Sequence, residues 1–120
     1  MKLKRLFTCI TLILSIAFIP TVIIYAVPQY ESIYGYAYAN VEGRDGEYKI
    51  SAGTVRKNGA QQASIFVDKV YYDGSEETYS SGTVNKDVLY THDYEYIEDY
   101  TTKHRTYKDN NNVFDVTLYN

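Results

Sequence analysis

The feature that most constrains this chain is a strict alternation of side chains that begins near residue 33 and has a period of two. In 33–41, one set of alternating positions holds Ile33, Gly35, Ala37, Ala39 and Val41, and the other set holds Tyr34, Tyr36 and Tyr38. Successive side chains of a β-strand point to opposite faces, so this spacing predicts a half-buried strand with tyrosine rings on one side.

The same alternation recurs toward the C-terminus and is interrupted by turn-forming residues. After the first strand at 33–41, we predict strands at 47–55, 60–72, 78–84, 88–97, 100–107 and 113–119. Asn58-Gly59 is a strong hairpin signal because both residues accept positive φ. About seven short strands predict an all-β domain at 33–120, either a small antiparallel β-sandwich or a compact barrel, after a loose leader at 27–32.

The N-terminal part has a different character. Lys2, Lys4 and Arg5 precede an apolar run from Leu6 to Val27 that contains no charged residue. A basic start, an apolar stretch and a small residue such as Ala26 predict a helical secretory signal at 1–26 that is cleaved after Ala26. The run is also close to the roughly 20 residues that span a bilayer, so an uncleaved membrane anchor with the domain outside is the alternative.

Charge and cysteine content limit the partners and the stabilising chemistry of the exported part. Nine of the 12 basic residues and all 15 acidic residues lie after residue 26, which gives that part a net charge of −6. This balance argues against nucleic acid and against docking on an anionic membrane. Cys9 lies in the signal segment, so we expect a secreted or extracellular domain without disulfides.

Tyrosine is the residue that we expect to form an aromatic shell around the core. All but one of the 15 tyrosines lie after residue 26. A buried tyrosine ring removes about 150–250 Å² from water and suits a pleated, half-buried surface. These rings predict a folded domain with a thin aliphatic core.

A seven-residue segment occurs twice. Residues 51–57 read S-A-G-T-V-R-K and residues 80–86 read S-S-G-T-V-N-K, so five of the seven positions are identical. The pattern suits the end of a strand, where glycine permits close approach and lysine protects an exposed edge. We expect two equivalent hairpins, and a duplicated ligand-binding loop is the alternative.

The candidate binding face lies on the predicted strands that contain the two histidines. If the bend at 97–99 closes a hairpin, His92 lies opposite His104. The face would then contain Tyr90, His92, Tyr94, Tyr96, Tyr100 and His104. Two histidines without further ligands do not make a metal site, so we predict aromatic binding and no metal. Two protonated imidazoles would repel, which predicts a hairpin that weakens as the pH falls through about 6.

No catalytic or cofactor motif is present. The densest acidic cluster holds Asp93, Glu95, Glu98 and Asp99, and carboxylates at a predicted turn are typical of a solvated surface. The chain has neither the G-x-S-x-G motif of a serine hydrolase nor the glycine-rich loops that bind phosphates and dinucleotides. We therefore expect a protein that is not an enzyme and that needs no cofactor.

Together these features predict a secreted β-domain that acts by binding a cell-wall or surface polymer, or an extracellular protein. The row of Tyr34, Tyr36 and Tyr38 also suits flat recognition of sugars or peptides. The general plan resembles that of small secreted β-sandwich bacteriocins, which makes an antagonist of neighbouring cells the alternative function. If the signal is not cleaved, a membrane-anchored structural or stress protein is the second alternative.

Overall fold

The computed structural model describes the backbone of residues 22–25 and the backbone and side chains of residues 29–120. The strands are β1 (Val22–Tyr25), β2 (Gln29–Glu31), β3 (Gly35–Arg44), β4 (Glu47–Arg56), β5 (Gln62–Tyr71), β6 (Glu76–Ser80), β7 (Val88–Thr91), β8 (Ile97–Lys108) and β9 (Asn111–Tyr119). The all-β prediction is confirmed. Within the described ranges, no helix has the length and apolar character needed to cross a membrane.

Residues 29–120 form two antiparallel sheets of four strands each. The front sheet has the order β2-β3-β4-β7, and the back sheet has the order β9-β8-β5-β6. The backbone of β1 adds a fifth strand to the back sheet, parallel to β9. Two sheets facing one another across a common core are the sandwich alternative of our prediction.

The core lies between the two sheets and follows from the side-chain alternation. On β5, the inward positions Ala63, Ile65, Val67 and Lys69 are buried, whereas the residues between them are partly exposed. The other sheet contributes small side chains, including Ala37 and Ala52, so that larger ones from the back sheet fit against it. The buried apolar side chains are Ala37, Ala39, Ile50, Ala52, Ala63, Ile65, Val67, Val88, Tyr90, Ile97, Phe114, Val116 and Leu118.

Three of the gaps between the predicted strands contain turns. Asp45 and Gly46 both have positive φ and join β3 to β4 as a two-residue hairpin. Asp109 and Asn110 do the same between β8 and β9. Gly74 has φ +86° in the turn between β5 and β6. Such left-handed conformations match the twist of paired strands, which explains the choice of glycine, asparagine and aspartate there.

The hairpin predicted at Asn58-Gly59 is wrong, although the turn itself is present. Both residues have positive φ. The strands on either side nevertheless belong to different sheets, because β4 pairs with β3 and β7 while β5 pairs with β6 and β8. A local turn signal specifies a change of direction but not the strand with which the chain then pairs. β5 pairs with β6 and β8 because this places its inward side chains between the two sheets.

The prediction of two equivalent hairpins from the repeat is also wrong. Residues 51–56 of the first copy lie within β4, between two hydrogen-bonded neighbours. The second copy is a loop after β6, in which Gly82 has φ +66° and Val84 forms an isolated bridge with Ala63. The same residues therefore adopt different structures, because the first copy has a partner on each side and the second does not.

The N-terminal predictions fall partly outside the described residues. This applies to 1–21 of the predicted signal segment and to the cleavage point after Ala26. Residues 29–31, which we assigned to a loose leader, form β2 and pair with β3. Their backbone groups form hydrogen bonds with the side of β3 that faces away from β4.

The two sheets approach each other closely at Gly35. A Cβ atom at this position would lie 2.5 Å from the ring of Phe114, which is 3% exposed. Because the ring is enclosed, we expect Gly35→Ala to lower the free energy of unfolding by about 1–3 kcal/mol, measured by chemical denaturation. Phe114→Leu should remove part of the clash, so the double variant should lose less than the sum of the single losses. Additive losses would contradict this account.

Candidate functional site

The face predicted from Tyr90 to His104 is not one surface. The predicted hairpin that paired His92 with His104 is wrong, because β7 pairs with β4 in the front sheet and β8 pairs with β5 and β9 in the back sheet. The chain crosses between the sheets after Thr91. This crossing lets Tyr90 and Ile97 both enter the core, and that burial decides against a local hairpin.

His104 is fully buried between the sheets. Its Nδ1 lies 2.8 Å from Thr54 Oγ1, and its Nε2 lies 2.8 Å from Thr102 Oγ1. The Thr54 hydroxyl donates to the Ser64 carbonyl, so Thr54 accepts from Nδ1 and Thr102 donates to Nε2. Burial lowers the pKa of His104 to about 3, against the opposing effect of a backbone hydrogen bond at Gly53. The imidazole is therefore neutral and structural.

The other histidine, His92, also has a structural role. His92 Nε2 accepts a hydrogen bond from the Ile50 backbone N–H at 3.1 Å, so Nδ1 is the donor toward the Asp93 carbonyl. Nδ1 also lies 3.3 Å from Glu95 Oε1. His92 therefore holds the chain crossing against β4.

The four tyrosines of the predicted face have different environments. Tyr90 is buried in the core, and Tyr100 is half-buried against it. The Tyr94 hydroxyl donates to Glu42 Oε2 at 2.9 Å, which raises the pKa of Tyr94, and Arg44 lies 4.0 Å from the centroid of its ring. Tyr96 is 59% exposed. Only Tyr96 thus presents most of its ring to solvent.

A buried lysine, which the sequence analysis did not single out, occupies one end of the inter-sheet core. The Lys69 cluster comprises Lys69, Tyr71, Glu77, Tyr90 and Glu95. The Lys69 side chain is 1% exposed, and its Nζ lies 3.3 Å from both carboxylate oxygens of Glu95 and 3.3 Å from Glu77 Oε1. Its place after Ala63, Ile65 and Val67 in the inward alternation of β5 was the sequence signal that could have revealed it.

The charges of the Lys69 cluster stabilise one another. Burial alone would lower the pKa of Lys69, but hydrogen bonds with Tyr90, Tyr71 and Glu95 raise it above its ordinary value. Burial likewise acts to raise the pKa of Glu95, yet the hydrogen bond from Tyr71 and the charge of Lys69 lower it. Burial and the hydrogen bond to Glu95 raise the pKa of Tyr71 to about 12. Lys69 and Glu95 are thus both ionised at neutral pH, which makes the cluster an ion pair that joins the sheets.

The outer face of the front sheet presents a different arrangement, which we call the tyrosine platform: Tyr36, Tyr38, Gly53, Val55 and Leu89. Strand register places Tyr38, Gly53 and Leu89 side by side across β3, β4 and β7. Tyr36 and Val55 form the neighbouring row. The rings of Tyr36 and Tyr38 lie 5.8 Å apart with a tilt of 31°, and Leu89 is 64% exposed.

Gly53 is what makes the platform flat. A Cβ atom at this position would lie 2.5 Å from the Tyr38 ring, so the ring lies directly over the glycine backbone. The Tyr36 hydroxyl donates to Gln29 Oε1 at 2.7 Å, which holds the second ring toward β2. Side-chain alternation predicts the tyrosine row on this strand, whereas the role of Gly53 follows only from the register between β3 and β4.

The platform has polar groups at its margin. On the next row, Ser51 Oγ lies 3.4 Å from Thr91 Oγ1, and Asn40 is the exposed neighbour of Ser51 on β3. Glu31 forms an ion pair with Lys57 at the opposite margin. The centre is therefore aromatic and uncharged, with hydroxyl and amide groups at one margin and an ion pair at the other.

The described side chains, 29–120, contain no group of three or more histidine, cysteine, aspartate or glutamate residues that could hold a metal ion. The fold and these surfaces define the class as a small two-sheet all-β protein. Comparison of the chain with protein-family models, with curated proteins and with solved structures finds no match.

Proposed function

We propose that this protein is a secreted, non-enzymatic binding domain that recognises a sugar-containing polymer of the cell envelope through the tyrosine platform. The observation that carries the proposal is the pair of neighbouring rings on an open sheet face, with Tyr38 held flat over Gly53. The position of both histidines in structural hydrogen bonds supports binding rather than catalysis.

The chemistry of the platform favours a neutral, hydroxyl-rich ligand. The faces of tyrosine rings pack against the C–H faces of sugar rings, and phenolic hydroxyls at the ring edge pair with sugar hydroxyls. Ser51, Thr91 and Asn40 add hydrogen-bonding groups beside the rings. None of the five platform residues is charged, and the one acidic neighbour of Tyr36, Glu31, is neutralised by Lys57, so the rings meet an uncharged part of the ligand.

Removal of one ring is the direct test of the proposal. We expect Tyr38→Ala to weaken binding to purified cell-wall polysaccharide by about tenfold, since an aromatic contact residue typically contributes about 1–2 kcal/mol. The measurement is a pull-down on the insoluble polymer, followed by titration calorimetry with soluble fragments. Tyr72→Ala is the matched control, because Tyr72 is 61% exposed and lies outside the platform.

Gly53→Ala gives a second test that keeps every tyrosine. Tyr38 is a surface side chain and can swing away from the new methyl group, so we expect a small change in stability together with a loss of affinity similar to that of Tyr38→Ala. Unchanged affinity in both variants would overturn the proposal. Equal losses in Tyr72→Ala would also count against it, because the effect would then not be specific to the platform.

A further inference from the structure

The outer face of the back sheet carries a second concave surface, on the opposite side of the molecule from the tyrosine platform. This cationic groove has a cavity volume of about 320 Å³ and lies across β5, β8 and the loop after β6. The residues that line it and carry its chemistry are Ser64, Phe66, Thr83, Lys103, Arg105 and Tyr107.

One wall of the cationic groove is held rigidly. The Ile65 N–H donates to Ser81 Oγ at 2.9 Å, and the Ser81 N–H donates back to the Ile65 carbonyl at 3.0 Å. Val84 and Ala63 exchange both backbone hydrogen bonds, at 2.9 and 3.0 Å. The loop is thus tied to β5 on both sides of Thr83 in the chain, which reduces the ordering cost of binding a ligand.

The charge in the groove is opposite to that of the protein as a whole. The full chain has a net charge of −3, yet Lys103 and Arg105 stand two residues apart on the same face of β8. Arg105 Nε lies 3.2 Å from Asp115 Oδ2, and the Arg105 side chain remains 48% exposed. Lys103 forms no salt bridge with any carboxylate in residues 29–120.

Aromatic rings and hydroxyl groups accompany these cations. Lys103 Nζ lies 5.5 Å from the centroid of the Phe66 ring, and Tyr107 lines the same groove. Ser64 and Thr83 add hydroxyl groups. A cation next to rings and hydroxyls matches an oxyanion that is attached to a carbohydrate, because each part of such a ligand meets its complement.

We propose that the cationic groove is a second binding site that takes a phosphorylated carbohydrate, with the phosphate on Lys103 and the exposed face of Arg105 and the sugar against Phe66 and Tyr107. The site does not depend on the tyrosine platform, since the two surfaces belong to different sheets. A chain with both sites would bind a polymer that carries neutral and phosphorylated sugars at two points.

The test is a titration of the full-length protein with three small probes: glucose 6-phosphate, glucose and inorganic phosphate. We expect glucose 6-phosphate to bind at least about tenfold more tightly than either of the others, and we expect its affinity to fall as the ionic strength rises. Lys103→Gln should weaken this binding by about tenfold. Lys49→Gln on the front sheet removes the same charge elsewhere and should leave it unchanged.

The outcomes separate this proposal from its rivals and from the proposed function. Equal affinity for glucose 6-phosphate in Lys103→Gln and in the parent protein would overturn the proposal, as would equal affinity for inorganic phosphate and glucose 6-phosphate. Binding to phosphatidylglycerol vesicles without binding of the soluble sugar phosphate would assign the groove to a lipid headgroup instead. Tyr38→Ala should retain sugar-phosphate binding, so failure of one site is distinguishable from failure of the other.

Discussion

Glu95→Gln is expected to lower the free energy of unfolding by about 2–3 kcal/mol at neutral pH. The variant removes the charge that lies 3.3 Å from Lys69 Nζ and leaves a buried ammonium group with only the exposed Glu77 as its anionic partner. Loss of one partner from a buried ion pair typically costs about 3–5 kcal/mol, and the 32% exposure of Glu95 places our expectation below that range. Chemical denaturation followed by circular dichroism measures the loss.

Two variants control for this result. Glu77→Gln removes the more exposed carboxylate of the Lys69 cluster and should cost less than about 1 kcal/mol. The double variant Lys69→Met/Glu95→Gln removes both charges and should recover part of the stability lost in Glu95→Gln. In Glu95→Gln the destabilising group is the buried charge of Lys69, which has lost its main partner. A double variant less stable than Glu95→Gln alone would contradict this explanation.

The second large effect is a dependence of stability on pH that arises from His104. Burial lowers the pKa of His104 from 6.5 to about 3, so the unfolded chain binds a proton in this interval that the folded protein does not bind. The contribution of neutral His104 to stability is fully present above about pH 6.5. It is lost progressively as the pH decreases toward the pKa of His104 in the folded protein. We expect His104 to account for a loss of about 2 kcal/mol between about pH 7 and pH 5.

The comparison that isolates this effect is the slope of stability against pH. His104→Gln keeps a hydrogen-bonding side chain but cannot titrate, so its slope near pH 5.5 should be smaller than that of the parent protein by about 1 kcal/mol per pH unit. Ile97→Ala destabilises the same core at the start of β8, away from His104, and retains the imidazole, so it should keep the parent slope. Equal slopes in His104→Gln and the parent protein would contradict the assignment.

This result also separates two explanations of acid sensitivity. A hairpin that pairs His92 with His104, as the sequence predicts, would weaken at low pH because two protonated imidazoles repel each other. The structure places His92 in the segment that crosses between the sheets after β7, and it encloses His104 of β8 between Thr54 and Thr102. The direction of the pH effect is the same, but its cause is the burial of one neutral imidazole rather than the proximity of two charged ones.

The candidate site was predictable from the sequence only in part. Alternation in 33–41 predicted that Tyr36 and Tyr38 share a face opposite Ala37 and Ala39, and the burial of the alanines agrees with this. Gly53 lies under the Tyr38 ring because β3 and β4 pair in one particular register. No local pattern in the sequence specifies that register. The cationic groove depends on three segments that are distant in the chain, β5, β8 and the loop after β6.

The sequence by itself determined the strand character of the chain and the places where it turns. Period-two spacing sets which side chains share a face, and residues such as Asp45-Gly46 and Asp109-Asn110 accept the positive φ of tight hairpins. Only the tertiary structure decided which strands pair, and therefore that β4 and β5, and likewise β7 and β8, lie in different sheets. The physical reason is that local backbone preferences act over a few residues, whereas pairing is decided by the burial of side chains such as His104, Lys69 and Phe114 against the opposite sheet.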